Sequence, residues 1–158
     1  MPLPIVEYLH LLLAFVFVAA VMAAHWNTIA ARRTASWAER AVLFELNRRL
    51  SVVFSLPALI GTGVAGNVLA MMLGYRMSDT RLLQVVTALW LLIVIVALAL
   101  DVPLSARLAT LARTAANAGT SAEPVEWAGA LRRWRTGSLV QLVLFLALLW
   151  FMVAAWRQ

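Results

Sequence analysis

The chain has no cysteine and no lysine. The first absence excludes disulfides, thiolate metal ligands and cysteine nucleophiles. The second excludes Schiff-base chemistry and a lysine general base. Acid–base groups are few as well, with 7 acidic residues and 2 histidines among 158. Charged residues make up 13% of the chain against 64% hydrophobic residues, and the mean hydropathy is +0.89. A water-soluble domain of this composition would leave far too much apolar surface in water, so composition alone points to a bilayer as the solvent. The formal net charge of +6 comes from 13 arginines that flank apolar runs instead of lining one face. That distribution reads as a membrane-orientation signal and not as a nucleic-acid surface.

Residues 8–31, 50–75, 82–100 and 136–156 carry no formal charge. A helix needs roughly 20 apolar residues to cross about 30 Å of hydrocarbon, and all four stretches come within reach of that length. The sequence therefore predicts an all-α integral membrane protein, a single domain over residues 1–158, with spans at about 5–29, 50–75, 82–102 and 136–156 in an up-down four-helix bundle. The first span is not expected to be a signal peptide, because residues 1–4 carry no basic group. Arg32, Arg33, Arg40, Arg48 and Arg49 lie in the first connection, and Arg107, Arg113, Arg132, Arg133 and Arg135 in the third. The second connection holds only Arg76 and Arg81. The positive-inside rule then expects both termini in the periplasm of a bacterial inner membrane. Trp26, Trp127, Trp134, Trp150 and Trp156 fall near span ends, where an interfacial belt is expected. SWAERAVLFELNRRL mixes Trp37, Ala41, Phe44 and Leu46 with charges and reads as an amphipathic cytoplasmic extension of the second helix. PLSARLATLARTAANA extends the third helix in the same way, and NAGTSAEP forms a turn before the fourth.

Inside the second span, GTGVAG matches the dinucleotide fingerprint G-x-G-x-x-G. No strand precedes it and no acidic residue follows at about twenty positions, so no nucleotide is expected. Gly61, Gly63 and Gly66, with Ala58, Ala65 and Ala70, instead make a thin helix face suited to close packing. That face is expected to dock a second copy of the chain or a partner membrane subunit. Pro57 should kink the helix, leaving a carbonyl for a neighbouring helix or water to satisfy.

Ionisable groups inside a span are costly and mark functional candidates. His10 lies early in the first span, with Glu7 one turn before it, and His25 follows 15 residues later. At the standard rise the two histidines stand about 22 Å apart along the helix. Such spacing suggests stacked haem b groups ligated by neutral imidazole, with His10 as the candidate ligand to haem iron. Two bis-histidine haems need four histidines, so a homodimer or a partner subunit would have to complete the set. His25, beside Trp26 and Asn27, also reads as an interfacial ring. Arg48 and Arg49 could bind haem propionates or lipid phosphate, or serve only as a stop signal. Asp101 is expected to pair with Arg107 or to cap the helical extension. Asn67 and Gln141 are expected to hydrogen-bond between helices. Met22, Met71 and Met72 form no methionine ladder and are read as packing residues, not as copper ligands.

The Leu9-His10 pair near the outer end of the first span, P-x4-T-G at Pro57, Thr62 and Gly63, P-x3-R-L-x2-L-A-R at 103–113 and LRRW at 131–134 together carry a resemblance. The chain resembles an uncharacterised family of small four-helix bacterial inner-membrane proteins. That family is akin to the copper-resistance D proteins and to the bacterial membrane protoporphyrinogen oxidase. The resemblance covers nearly the whole chain and implies His10 as a haem ligand. The related oxidase also relies on a membrane lysine, which this chain lacks, so an independent enzyme is not expected. The readings stand in this order: a haem-binding protein for electron transfer or haem handling, an accessory subunit or assembly factor of a respiratory or export complex, and a small transporter.

Overall fold

The computed structural model describes residues 2–78 and 80–155, and every regular element in it is helical. Helix α1 is Leu3–Arg33. Helix α2, Trp37–Arg49, runs through a π-helical segment, Leu50–Ser55, into α3, Leu56–Met72. Helix α4, Arg81–Val96, passes through a second π segment, Ala97–Asp101, into α5, Val102–Asn117. Helix α6 is Trp127–Ala155. These make four long helices that are apolar enough to cross a membrane. Two of them, of 36 and 37 residues, are about 54–56 Å long at the standard rise, well beyond a hydrocarbon core of about 30 Å. The surplus is α2 and α5, which pack on each other as the extensions that the charge pattern implies.

Each π segment has a local cause. A proline ring in a helix collides with the carbonyl four residues back and removes an N–H. Pro57 and Pro103 both sit two residues beyond a π segment. The Leu56 N–H bonds the Ser51 carbonyl and the Val102 N–H bonds the Ala97 carbonyl, both five residues back. Widening the turn ahead of the ring thus keeps these backbone groups within the helix's own ladder.

The core falls into two stacks. Toward the arginine-rich end, Trp37, Phe44, Leu108, Trp127 and Trp134 pack around alanines of α1, α2 and α5. Trp127 meets Trp37 at 5.0 Å and Phe44 at 5.1 Å, both edge to face. Toward the other end, Phe17, Leu59, Ile93, Phe145 and Leu148 fill the bundle, with Phe17 and Phe145 at 5.1 Å. The outer surface is apolar too, with Phe15 and Met71 each 72% exposed, as only lipid accommodates. Two readings of the tryptophans need correction. Trp26 and Trp150 are exposed, but Trp127 and Trp134 are buried in the bundle, because the extensions surround them with helix. Trp156 lies outside the described residues. Met22, Met71 and Met72 face outward and do not pack in the core.

The second-span glycines also differ from expectation. A Cβ at Gly61 would stand 2.9 Å from Leu13 Cδ1, at Gly63 1.9 Å from Trp90 Cε2, and at Gly66 2.9 Å from His10 Cε1. The thin face is therefore taken up by the first and third spans of the same chain, and these glycines are not free to dock a partner. The Trp90 Nε1–H reaches over Gly63 to donate to the Leu59 carbonyl at 2.9 Å.

Ser36 caps α2 by accepting the Glu39 N–H at 3.4 Å, the opening of an S-x-x-E box. Arg40 closes α1 by donating to the Ala31 carbonyl and, twice, to the Thr34 carbonyl, while its guanidinium lies 4.4 Å over Trp37. Glu45 gathers Arg48 at 2.7 Å, Arg49 at 3.2 Å and Arg113 at 3.5 Å. The Arg48 hydrogen bond, helped by Arg49, outweighs partial burial and holds the Glu45 carboxyl at about 2 instead of 4.5.

Two stability outcomes follow from this packing. Gly63→Ala should lower the thermal unfolding midpoint in detergent, through about 1–3 kcal/mol of overpacking against Trp90 less the roughly 1 kcal/mol of helix propensity that alanine brings. Gly129→Ala, with nothing within 4 Å, should not lower it. Because the folded pKa of Glu45 is depressed, its ion pairs stabilise fully above pH 4.5 and fade as pH falls toward about 2. The gap in midpoint between the parent chain and Glu45→Gln should close over that window and persist above it.

Candidate functional site

Two polar stations interrupt the apolar interior, one near each end of the bundle. At the outer station the local sequence brings a histidine onto a backbone. Residues 62 and 66 are one helical turn apart on α3, so the Thr62 carbonyl and Gly66 share a face. With no Cβ at Gly66, the His10 ring of α1 lies flush on that face and its Nδ1 comes within 2.9 Å of the Thr62 oxygen. A carbonyl only accepts, so Nδ1 carries the proton and Nε2 of the neutral ring keeps its lone pair. His10 retains 9% of its surface. Thr62 Oγ1 turns back to the Ala58 carbonyl at 2.7 Å. Asn67 bonds the Gly63 carbonyl and accepts from Thr87 of α4 at 3.3 Å, the interhelical bond expected of that amide. Glu7 is exposed, so it does not share the buried side of α1 with His10.

The inner station lies where the two π segments face each other. Ser51 Oγ donates to Asp101 Oδ2 at 2.8 Å, joining the second and third spans through their proline-widened turns. Asp101 is the one buried carboxylate among the described residues. It neither pairs with Arg107 nor caps α5 with its side chain; Arg107 reaches Glu126 at 2.7 Å. The Trp134 indole lies beside the same carboxyl without completing a hydrogen bond. The His25 ring lies tilted at 5.6 Å from Trp134, bonds the Val21 carbonyl at 3.1 Å and stands 3.5 Å from Ser138 Oγ. Gln141, expected to bond between helices, leaves its Nε2 without a hydrogen-bond partner among the described residues, as does Trp134 its Nε1. One turn further in, Asn47 of α2 donates to the Ala24 carbonyl and Thr28 Oγ1 and accepts from Asn27, fastening α2 to α1.

The structure therefore separates the residues that the sequence grouped as one cofactor set. Arg49 lies 13 residues before the His10 contact at Thr62, about 20 Å along the helix, and both Arg48 and Arg49 are engaged by Glu45. His25 belongs to the inner station. No group of three histidine, aspartate or glutamate side chains placed to hold a metal ion occurs among the described residues. His10 stays apart from the arginines and from His25, with its Nδ1 held by the Thr62 carbonyl; an imidazole held in that way is the type of donor that a haem iron would take from one helix. Sequence reasoning missed Ser51, Asn47 and Ser138 and read Trp134 as interfacial. The signal available for Ser51 was the pair of span prolines, Pro57 and Pro103, whose widened preceding turns hold Ser51 and Asp101.

Removing the acceptor at Asp101 should show how much the inner station holds. Asp101→Ala leaves Ser51 Oγ unpaired and should cost about 1–3 kcal/mol in unfolding, whereas Asp101→Asn keeps an acceptor and should cost clearly less.

Against known proteins, residues 4–155 match the family model DUF2269, described as a predicted integral membrane protein. No curated protein and no solved structure matches the chain.

Proposed function

The chain belongs to the DUF2269 family of integral membrane proteins, and from this premise we propose that it binds haem b through His10 and serves electron transfer or haem handling in the membrane. The observation that carries the reading is the Nδ1–H bond from His10 to the Thr62 carbonyl at 2.9 Å. Such a bond fixes the tautomer, orients the ring and raises the basicity of the opposite nitrogen. Gly66 sets the depth of the ring, since any side chain there would displace it. Bound haem would supply a one-electron redox centre. His25 stands toward the other end of α1, so any further histidine that would hold the group would come from a second copy or a partner subunit. The arginine bias supports an orientation with the α2–α5 extensions in the cytoplasm and both termini in the periplasm of a bacterial inner membrane.

Purification in mild detergent from cells supplied with haem precursors should give a Soret band that shifts on reduction. His10→Ala should abolish the band and His25→Ala should leave most of it. A colourless parent protein, or a band that survives His10→Ala, would sink the haem reading. A colourless protein that co-purifies with a respiratory or export complex would favour the accessory-subunit reading in its place.

A further inference from the structure

At the arginine-rich end, α1, α2 and α6 enclose an open cavity of about 540 Å³. Its polar lining is Arg32, Arg40, Arg132, Arg135, Thr136 and Glu123. Arg40 is committed to closing α1 and stacking on Trp37. Arg32, Arg132 and Arg135 form no ion pair among the described residues, and Glu123 is the only carboxylate in the lining. Three uncommitted guanidinium groups thus converge on one concavity. The positive-inside bias explains why arginines gather at this end of the bundle; it does not explain why these surround one hollow while Arg33 lines a separate one beside Glu39 and Arg133 lies outside both linings.

The remaining wall is apolar: Phe44, Trp127, Leu131 and Leu139. Arg132 and Arg135 lie on α6 before the charge-free run, while Leu139 lies one turn beyond Arg135, inside that run, and is 53% exposed. Phe44, Trp127 and Leu131 belong to the stem, so the cavity meets the membrane-spanning run at Leu139, just beyond its guanidinium rim. A soluble anion would use only the rim. An anionic headgroup carrying an acyl chain uses both, and arginine suits phosphate oxygens through paired N–H donors. Basic pockets between spanning helices on the cytoplasmic side have this chemistry.

We propose that this cavity binds the phosphodiester headgroup of an anionic phospholipid, with one acyl chain running along Leu139. The site is independent of any group on His10, which lies near the opposite end of the bundle.

The test titrates the full-length protein, delipidated in detergent, with phosphatidylglycerol and with phosphatidylcholine, and counts bound lipid by native mass spectrometry. Phosphatidylglycerol should bind the more tightly, and Arg132→Gln with Arg135→Gln should weaken it about 30-fold. Arg33→Gln with Arg133→Gln removes the same charge from the same end of the bundle and should weaken it far less. Millimolar inorganic phosphate should fail to displace the lipid. Equal losses in the two double variants, or no preference between the lipids, would overturn the proposal. Displacement by inorganic phosphate would also overturn it, by showing a site for a free oxyanion.

Discussion

A proline in a helix that crosses lipid creates a backbone problem that water is not there to solve. Two of the four crossings carry such a proline, and in both the preceding turn is widened to a five-residue spacing. The rest of the interior is arranged around that solution. The widened turns bring Ser51 and Asp101 together, and α6 lays Trp134 and Ser138 over the junction with His25. Beyond the junction, α2 and α5 continue as paired stems around a tryptophan–alanine core.

The spans and their extensions were legible because they depend on runs of residue type. Charge-free stretches mark the crossings, and the Trp37, Ala41 and Phe44 spacing marks the buried face of α2, where Leu46 alone of the four named residues turned out exposed. The packing role of the glycines was legible, but not their neighbour. A thin helix face says that something comes close, and only the fold tells that Trp90 and His10 of the same chain arrive first. The π segments were not legible, since proline predicts a disturbance without saying which carbonyl moves. Nor was the burial of Trp127 and Trp134, because a tryptophan at the edge of an apolar run looks the same whether lipid headgroups or a helical stem surround it.

The candidate site was legible in part for a related reason. His10 stands out as an ionisable residue in an apolar span, but its tautomer depends on a carbonyl 52 residues away. Asp101 was noticed and given the wrong partner: Arg107 is near in sequence, whereas Ser51 lies 50 positions away and is reached only through the pairing of the two widened turns. Arg48 and Arg49 were noticed as anion binders, yet Glu45, three and four residues back, meets both within one turn. Local spacing showed which residues were unusual, and tertiary contacts decided what each of them touches.

The widened turn at Leu50–Ser55 holds one residue more than a regular helix would there. Because that residue is taken up within one turn, the helix continues in phase on either side, and deleting it would restore ordinary winding with little rotation of the stem below. Asn47 would keep Ala24 and Thr28, and Phe44 would keep Trp127, whereas the same deletion in regular helix would turn them by about 100°. The extra residue is local slack, and what its loss removes is the room ahead of the proline ring. The segment therefore tolerates a change in length better than the regular helix on either side of it.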